Sequence, residues 1–198
     1  MNESTPIKRP YVIGIAGGSA SGKTTFTQQL EKALEGLSMQ TFHMDAYFKP
    51  KEARPYTKAH VTGEMYIDDN HPETADLPKL REDLAKAIAD AASDIIIVEG
   101  LLVLHDDGIF EHLDLNLFID CRPDERIVRR LRRNMARGLS FDEISSVYLD
   151  MVRYRHDQYV EPSKWRADLI INGSSFSLTA LNLLTEAIRS RFLQRFWA

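Results

Sequence analysis

Gly17-Gly18-Ser19-Ala20-Ser21-Gly22-Lys23-Thr24 meets every fixed position of the spacing G-x-x-x-x-G-K-[S/T]. Two different periodicities flank it. Tyr11-Val12-Ile13-Gly14-Ile15-Ala16 is a short apolar run with the character of a buried strand. Beyond the motif, Phe26, Leu30, Ala33 and Leu34 recur at helical spacing. Strand, glycine-rich turn and helix in that order commit the chain to an α/β fold. At ordinary composition the four fixed positions arise by chance in about one chain of this length in a hundred, and the flanks make chance rarer still.

The glycines let the backbone curl so that successive N–H groups point inward, and the helix N-terminus adds partial positive charge at the same place. Residues 17–25, ending at Thr25, are therefore expected to cradle the phosphates of ATP. Lys23 would reach the outer phosphates and the Thr24 hydroxyl would hold Mg2+. The plainer reading is a Gly/Ser turn ahead of a helix.

The rest of the chain repeats the alternation. Strand-like runs cover 39–44, 94–98, 115–119 and 168–171; helical patterns cover 77–92, 123–137, 140–159 and 177–197. This predicts a parallel β-sheet flanked by helices, with 95–98 buried on both faces because it shows no polar alternation. The 198 residues suit one domain spanning 1–198. A net charge of −4 argues against general nucleic-acid binding, and the single cysteine, Cys121, rules out a disulfide within the chain. Residues 1–10 lack the apolar stretch of a secretory signal, and no apolar run approaches membrane-spanning length. The cytoplasm is the expected location.

Residues 49–75 break the rhythm with Pro50, Pro55, Gly63 and Pro72, and show no clear structure of their own. They follow the carboxyl end of a strand, where ligands bind in open α/β sheets, so 45–75 is a candidate substrate segment. Asp45 at its start could take a proton from an attacking hydroxyl or hold water on a metal; equally it could close an Asx turn or cap a helix. Glu99 ends the apolar run and suits a metal partner, with a solvated strand end as the alternative.

On the helix over 123–137, Arg126, Arg130, Arg133 and Arg137 share one stripe, while Ile127, Leu131 and Met135 share another that would pack inward. Arginine suits phosphate contact and the charge of phosphoryl transfer. With Gly138 as a hinge, 123–140 could close as a lid; a solvated basic face balanced by Asp124, Glu125, Asp142 and Glu143 is the alternative. His71 could touch substrate or serve as a turn histidine. No Asn-Lys-x-Asp motif for reading guanine is present.

Taken in order, these residues resemble the uridine kinase family of phosphate-loop kinases, related to phosphoribulokinase. The likeness runs through 17–25, Asp45-Ala46-Tyr47-Phe48, Asn70-His71-Pro72, Val98-Glu99-Gly100, Arg129-Arg130, Arg133, Arg137-Gly138 and Tyr159-Val160-Glu161-Pro162. The resemblance implies ATP as donor and Mg2+, with Asp45 as base toward a sugar 5′-hydroxyl and Thr24, Glu99 and Asp45 about the metal. It also implies Arg130, Arg133 and Arg137 on the phosphates, and Phe48, Asn70, His71 and Arg130 near a small-molecule acceptor. Self-association is implied as well. The departures fall on the nucleobase half. The family's hairpin before the strand ending in the metal-binding Glu has no room here, its Asp before His-Pro is Asn70, its Arg after Arg-Gly is Leu139, and a Gln is Val147. The expected activity is an ATP-dependent transfer to a ribonucleoside or similar primary alcohol. Nicotinamide riboside, pantothenate or a sugar are other acceptors, and a nucleotide-binding regulator without transfer is the competing class.

Overall fold

The structure, a computed structural model, describes residues 9–193. β1 (Tyr11–Ala16) runs through the glycine-rich turn into α1 (Lys23–Ala33). Gly22 caps α1 with φ 102°, a left-handed conformation that side chains resist, which fixes where the helix begins. Then come β2 (Met39–His43), β3 (Tyr56–Lys58), β4 (Met65–Ile67) and α2 (Leu77–Asp90), whose first turn Asp76 caps by accepting from the Lys79 amide. β5 (Ile95–Glu99), the short α3 (Asp107–Phe110), β6 (Leu115–Asp120) and α4 (Pro123–Met135) follow, with Pro123 in the first turn of α4. α5 (Phe141–Val147) opens with a capping box between Ser140 and Glu143. It passes directly into a π-helical turn at Tyr148–Val152, then α6 (Arg153–Arg155) and a second π turn at His156–Val160. β7 (Leu169–Asn172) and α7 (Leu178–Leu193) complete the described chain.

Five strands form one parallel sheet in the order β2-β5-β1-β6-β7. Alternate residues of each strand enter two cores. Ile95 and Ile97 pack with Leu30 of α1, Leu34 at its C-cap, and Leu184 and Ile188 of α7; Ile96 and Val98 pack with Leu80 and Leu84 of α2. Each fully buried side chain of this kind is worth roughly 1.5–3 kcal/mol, so both faces hold β5 in place. The register sets Glu99 beside Ile15 of β1 and His43 of β2, which aligns three strand ends at one edge.

Three expectations need correction. Residues 49–75 are not structureless: β3 and β4 pair antiparallel, with Lys58 opposite Met65. The Asp150 carboxylate fastens their turn by accepting from the amides of Val61 (2.7 Å) and Thr62 (3.1 Å) and from the Thr62 hydroxyl. Arg155 fastens their base, giving Nε to Asp68 at 2.6 Å and Nη2 to the Thr57 hydroxyl at 2.9 Å. Second, the helix expected over 140–159 carries the two π turns. Third, α4 does not bury an apolar stripe. It packs against α5, Met135 is 49% exposed, Ile127 and Leu131 are only half-buried, and its one buried residue is Arg126. The pattern over 177–197 is seen to Leu193; its last four positions, and residues 1–8 of the stretch expected to lack a signal, lie outside the described residues.

Candidate active site

A cleft of about 800 Å3 opens at the aligned strand ends. Ser19, Ala20, Gly22, Lys23, Thr24 and Thr25 line one side. Asp45, Phe48, Asp69, Asn70, Glu99 and Leu101 line the cleft too, together with Arg129, Arg130 and Arg133 of α4 and Arg137 just past its end. Gly17, Gly18 and Ser21 lie beneath, buried. Ala20 adopts φ 63°, and the Ser21 hydroxyl is buried with no hydrogen-bond partner. Strain and an unmet polar group in one loop are what a site shaped for a ligand carries. Most of the expected site residues are thus brought together. His71 is not: its Nδ1 accepts from the Glu73 amide at 3.2 Å and its ring edge meets Tyr159, so it serves as a turn histidine.

Lys23 is half-buried and donates from Nζ to the Gly18 carbonyl at 3.3 Å. Burial pushes its ammonium below the usual lysine range, while the Glu99 and Asp45 carboxylates pull it back up. The Thr24 hydroxyl donates to both Glu99 oxygens, at 3.2 and 3.3 Å, and His43 Nδ1 lies 3.1 Å from Oε1. Glu99 is 6% exposed, and no lysine or arginine among the described residues reaches it at ion-pair distance. A buried carboxylate beside a hydroxyl, without a cation, is a fitting oxygen donor set for Mg2+, which keeps several waters and takes few protein ligands. Among the described residues there is no group of three or more His, Cys, Asp or Glu that could hold a metal ion by itself.

The arginines divide into two groups. Arg130 Nη1 and Arg133 Nη2 both donate to the Ser19 hydroxyl, at 3.1 and 3.3 Å. Arg130 Nε is buried without an acceptor; desolvation first, then Arg133, work against its charge. Arginine stays ionised regardless, so only an anion relieves that tension. Arg129 instead clamps the chain after β7, donating to the carbonyls of Gly173 (2.8 Å) and Ser174 (2.9 Å).

Asp45 sits in a 3-10 turn, Met44–Tyr47, directly after β2. Its carboxylate caps nothing and makes no hydrogen bond or ion pair among the described residues, so the Asx-turn and cap alternatives are not what the structure shows. It faces the cleft as a free acceptor, close enough for its charge to act on Lys23 and Arg133. His43 and Asp69 are site residues that the sequence did not single out. Only the β2–β5 register brings His43 to Glu99, and spacing along the chain carries no trace of it. Cys121 is buried, and its thiol is pushed above its ordinary range chiefly by that burial, which makes it inert.

A parallel sheet with a phosphate loop at its carboxyl edge defines a nucleotide-binding P-loop protein. The chain belongs to the phosphoribulokinase / uridine kinase family, whose sequence model matches residues 12–86 and 70–180. It is 34% identical over 206 residues to a uridine kinase of Geobacillus kaustophilus, covering 95% of this chain and 98% of that one. It is 35% identical over 209 residues to a uridine kinase of Staphylococcus aureus, covering 93% and 98%. Phosphoribulokinase from Rhodobacter spheroides shares the fold, with a TM-score of 0.63 at 15% identity over 85% of this chain and 74% of that one. The chain is accordingly an ATP-dependent kinase of this superfamily. Among the described residues no helix is long and apolar enough to cross a membrane.

Proposed function

We propose that the protein transfers the terminal phosphoryl group of ATP to the primary, 5′-type hydroxyl of a neutral ribonucleoside, uridine or cytidine first among them. We place it in the cytoplasm as one domain, with 123–140 as lid over the donor and 45–75 as acceptor segment. The observation that carries this reading is the unpartnered Asp45 carboxylate in the cleft that Lys23 also lines, close enough for its charge to act on that ammonium. In this reading Asp45 orients the hydroxyl and accepts its proton as the oxygen attacks. The amides of 17–25 hold the phosphates, while Lys23, Arg130 and Arg133 neutralise charge on the transferring group, with Arg137 at the outer edge. Thr24 and Glu99, with Asp45 reaching through water, would hold Mg2+; bound there, the ion supplies further charge neutralisation on the phosphates. Phe48 and Asn70 face the acceptor.

The charge of the cleft supports a neutral acceptor. Its lining has five cationic side chains (Lys23, Arg129, Arg130, Arg133 and Arg137) and three carboxylates (Asp45, Asp69 and Glu99). A magnesium-complexed triphosphate carries about two net negative charges, which match that excess. No cation is left over for the carboxylate of pantothenate or the phosphate of a sugar phosphate, and nothing further offsets the positive ring of nicotinamide riboside. The relatives named uridine kinase point the same way. Acceptor-dependent ADP release across a panel of these compounds tests the reading. Uridine or cytidine is expected to give the highest kcat/KM; fastest turnover of an anionic acceptor would overturn the neutral class, and no acceptor-dependent release from any compound would favour a regulator.

A further inference from the structure

Arg126 stands apart from the arginines that line the cleft. It is 5% exposed, the one buried side chain of α4. Its Nε donates to the Cys121 carbonyl at 3.1 Å, and its Nη1 lies 3.2 Å from His156 Nδ1. Among the described residues no carboxylate reaches it at ion-pair distance. A cation buried without an anion is costly, so the neutral groups that hold it have to be well placed. Their place is the underside of the phosphate loop. A Cβ on Gly18 would overlap Arg126 Nη1 and lie 3.0 Å from His156 Cε1, so guanidinium and imidazole both pack on the α-carbon of Gly18.

Guanidinium only donates, so His156 Nδ1 must present a lone pair to it. The imidazole proton then sits on Nε2, which faces Glu161 Oε2 at 3.2 Å. That is the neutral ring. The charged groups about it are Arg126 from α4 and, from its own helical stretch, Glu161 and Asp157. Lys164 holds Glu161 at 2.8 Å and Asp120, at the end of β6, at 3.2 Å. Burial first, then Arg126, keeps His156 below the ordinary imidazole range, against the pull of Glu161 and Asp157.

We infer that His156 is a positioning residue for the nucleotide: as a neutral acceptor it holds Arg126 against Gly18, and this pairing sets how well the loop fits the triphosphate. The inference rests on the reading that the loop binds ATP. Because Arg126 lies in the first turns of α4, the same contact fixes the root of the helix that carries Arg130 and Arg133. A second proton on the imidazole removes the acceptor and sets two cations face to face. ATP affinity is therefore whole while His156 is neutral and falls as pH drops through its depressed titration.

Calorimetric binding of ATP with Mg2+ between about pH 5 and 8 tests this on wild type, H156N and H156F. The Asn amide oxygen replaces Nδ1 and cannot titrate; Phe keeps the ring and removes the acceptor. At neutral pH, H156N is expected to bind within about twofold of wild type and H156F about tenfold more weakly. On acidification the wild type should lose affinity relative to H156N, a comparison in which the titration of ATP itself cancels. Wild-type affinity in H156F at neutral pH, or parallel acid profiles for wild type and H156N, would overturn the inference. If thermal melting shows H156F unfolded, the wild-type and H156N profiles decide alone. Wild type that binds no ATP at any pH would sink the reading of the loop itself, a result distinct from either of those.

Discussion

On the proposed reading the cleft has a phosphate end and an acceptor end, and the two are built in different ways. The phosphate end comes from one run of residues, 17–25, set at strand edges that the sheet aligns. The segment proposed for the acceptor depends on partners far apart in the chain: Asp68, Thr57 and Val61 are held by Arg155 and Asp150, 87 to 98 positions away. The first arrangement is a single local loop. The second couples the β3–β4 hairpin to the helical stretch over 141–160, so on the proposed reading a change in one reaches the acceptor side without touching the loop. The intact loop beside Asn70, Leu139 and Val147 fits that division.

Substitutions at the two ends should therefore separate. The largest effects belong to the groups proposed to carry the transfer itself, one from each side of that division. Asp45→Asn is expected to lower kcat about thousandfold while ATP binding stays within about twofold, measured by steady-state kinetics and calorimetry. Lys23→Ala is expected to cost about as much in kcat and to weaken ATP binding as well, so equal ATP affinity in the two variants would blur the distinction. Glu99→Gln comes next: the Mg2+ concentration for half-maximal activity is expected to rise about tenfold, read from a magnesium titration. At the acceptor end, Asp68→Ala leaves Arg155 buried without its carboxylate. It should destabilise the fold by about 3 kcal/mol in urea denaturation, and raise KM for the acceptor while KM for ATP holds. A rise confined to KM for ATP would erase the proposed boundary between the ends.

The smallest effect is expected at Tyr47, whose hydroxyl donates to Asp83 at 3.0 Å and ties the turn bearing Asp45 to α2. Burial and that hydrogen bond push the phenol up to about 12. A raised phenol stabilises fully below about pH 10 and ceases to as pH climbs through its folded value, so Tyr47→Phe should cost about 0.5 kcal/mol at neutral pH. Stability curves of the two proteins that converge only in strong alkali would bear this out.

The sequence revealed what is local or periodic. The phosphate loop, the five strands and the helices on the sheet all follow from runs of apolar residues and one spaced motif, because burial on a given face leaves a period along the chain. Asp45 and Glu99 were legible because strand ends in such a sheet share one edge. What stayed hidden depends on contacts between distant residues. The prolines of 49–75 masked a hairpin whose strands are three residues each and lean on Asp150 and Asp68. Arg126 reads as one more member of a basic stripe, yet in the fold it is buried against Gly18. His43 meets Glu99 only through register. The π turns at Tyr148–Val152 and His156–Val160 leave no mark in the helical period.

The central claim is that an acceptor hydroxyl is held by Asp45 opposite the phosphate loop. A crystal structure with a non-hydrolysable ATP analogue, Mg2+ and uridine tests it most directly. The account requires the 5′-oxygen within about 3.2 Å of an Asp45 oxygen and in line with the terminal phosphorus. A nucleoside bound with that hydroxyl turned away from Asp45, and another group on the hydroxyl instead, would contradict it.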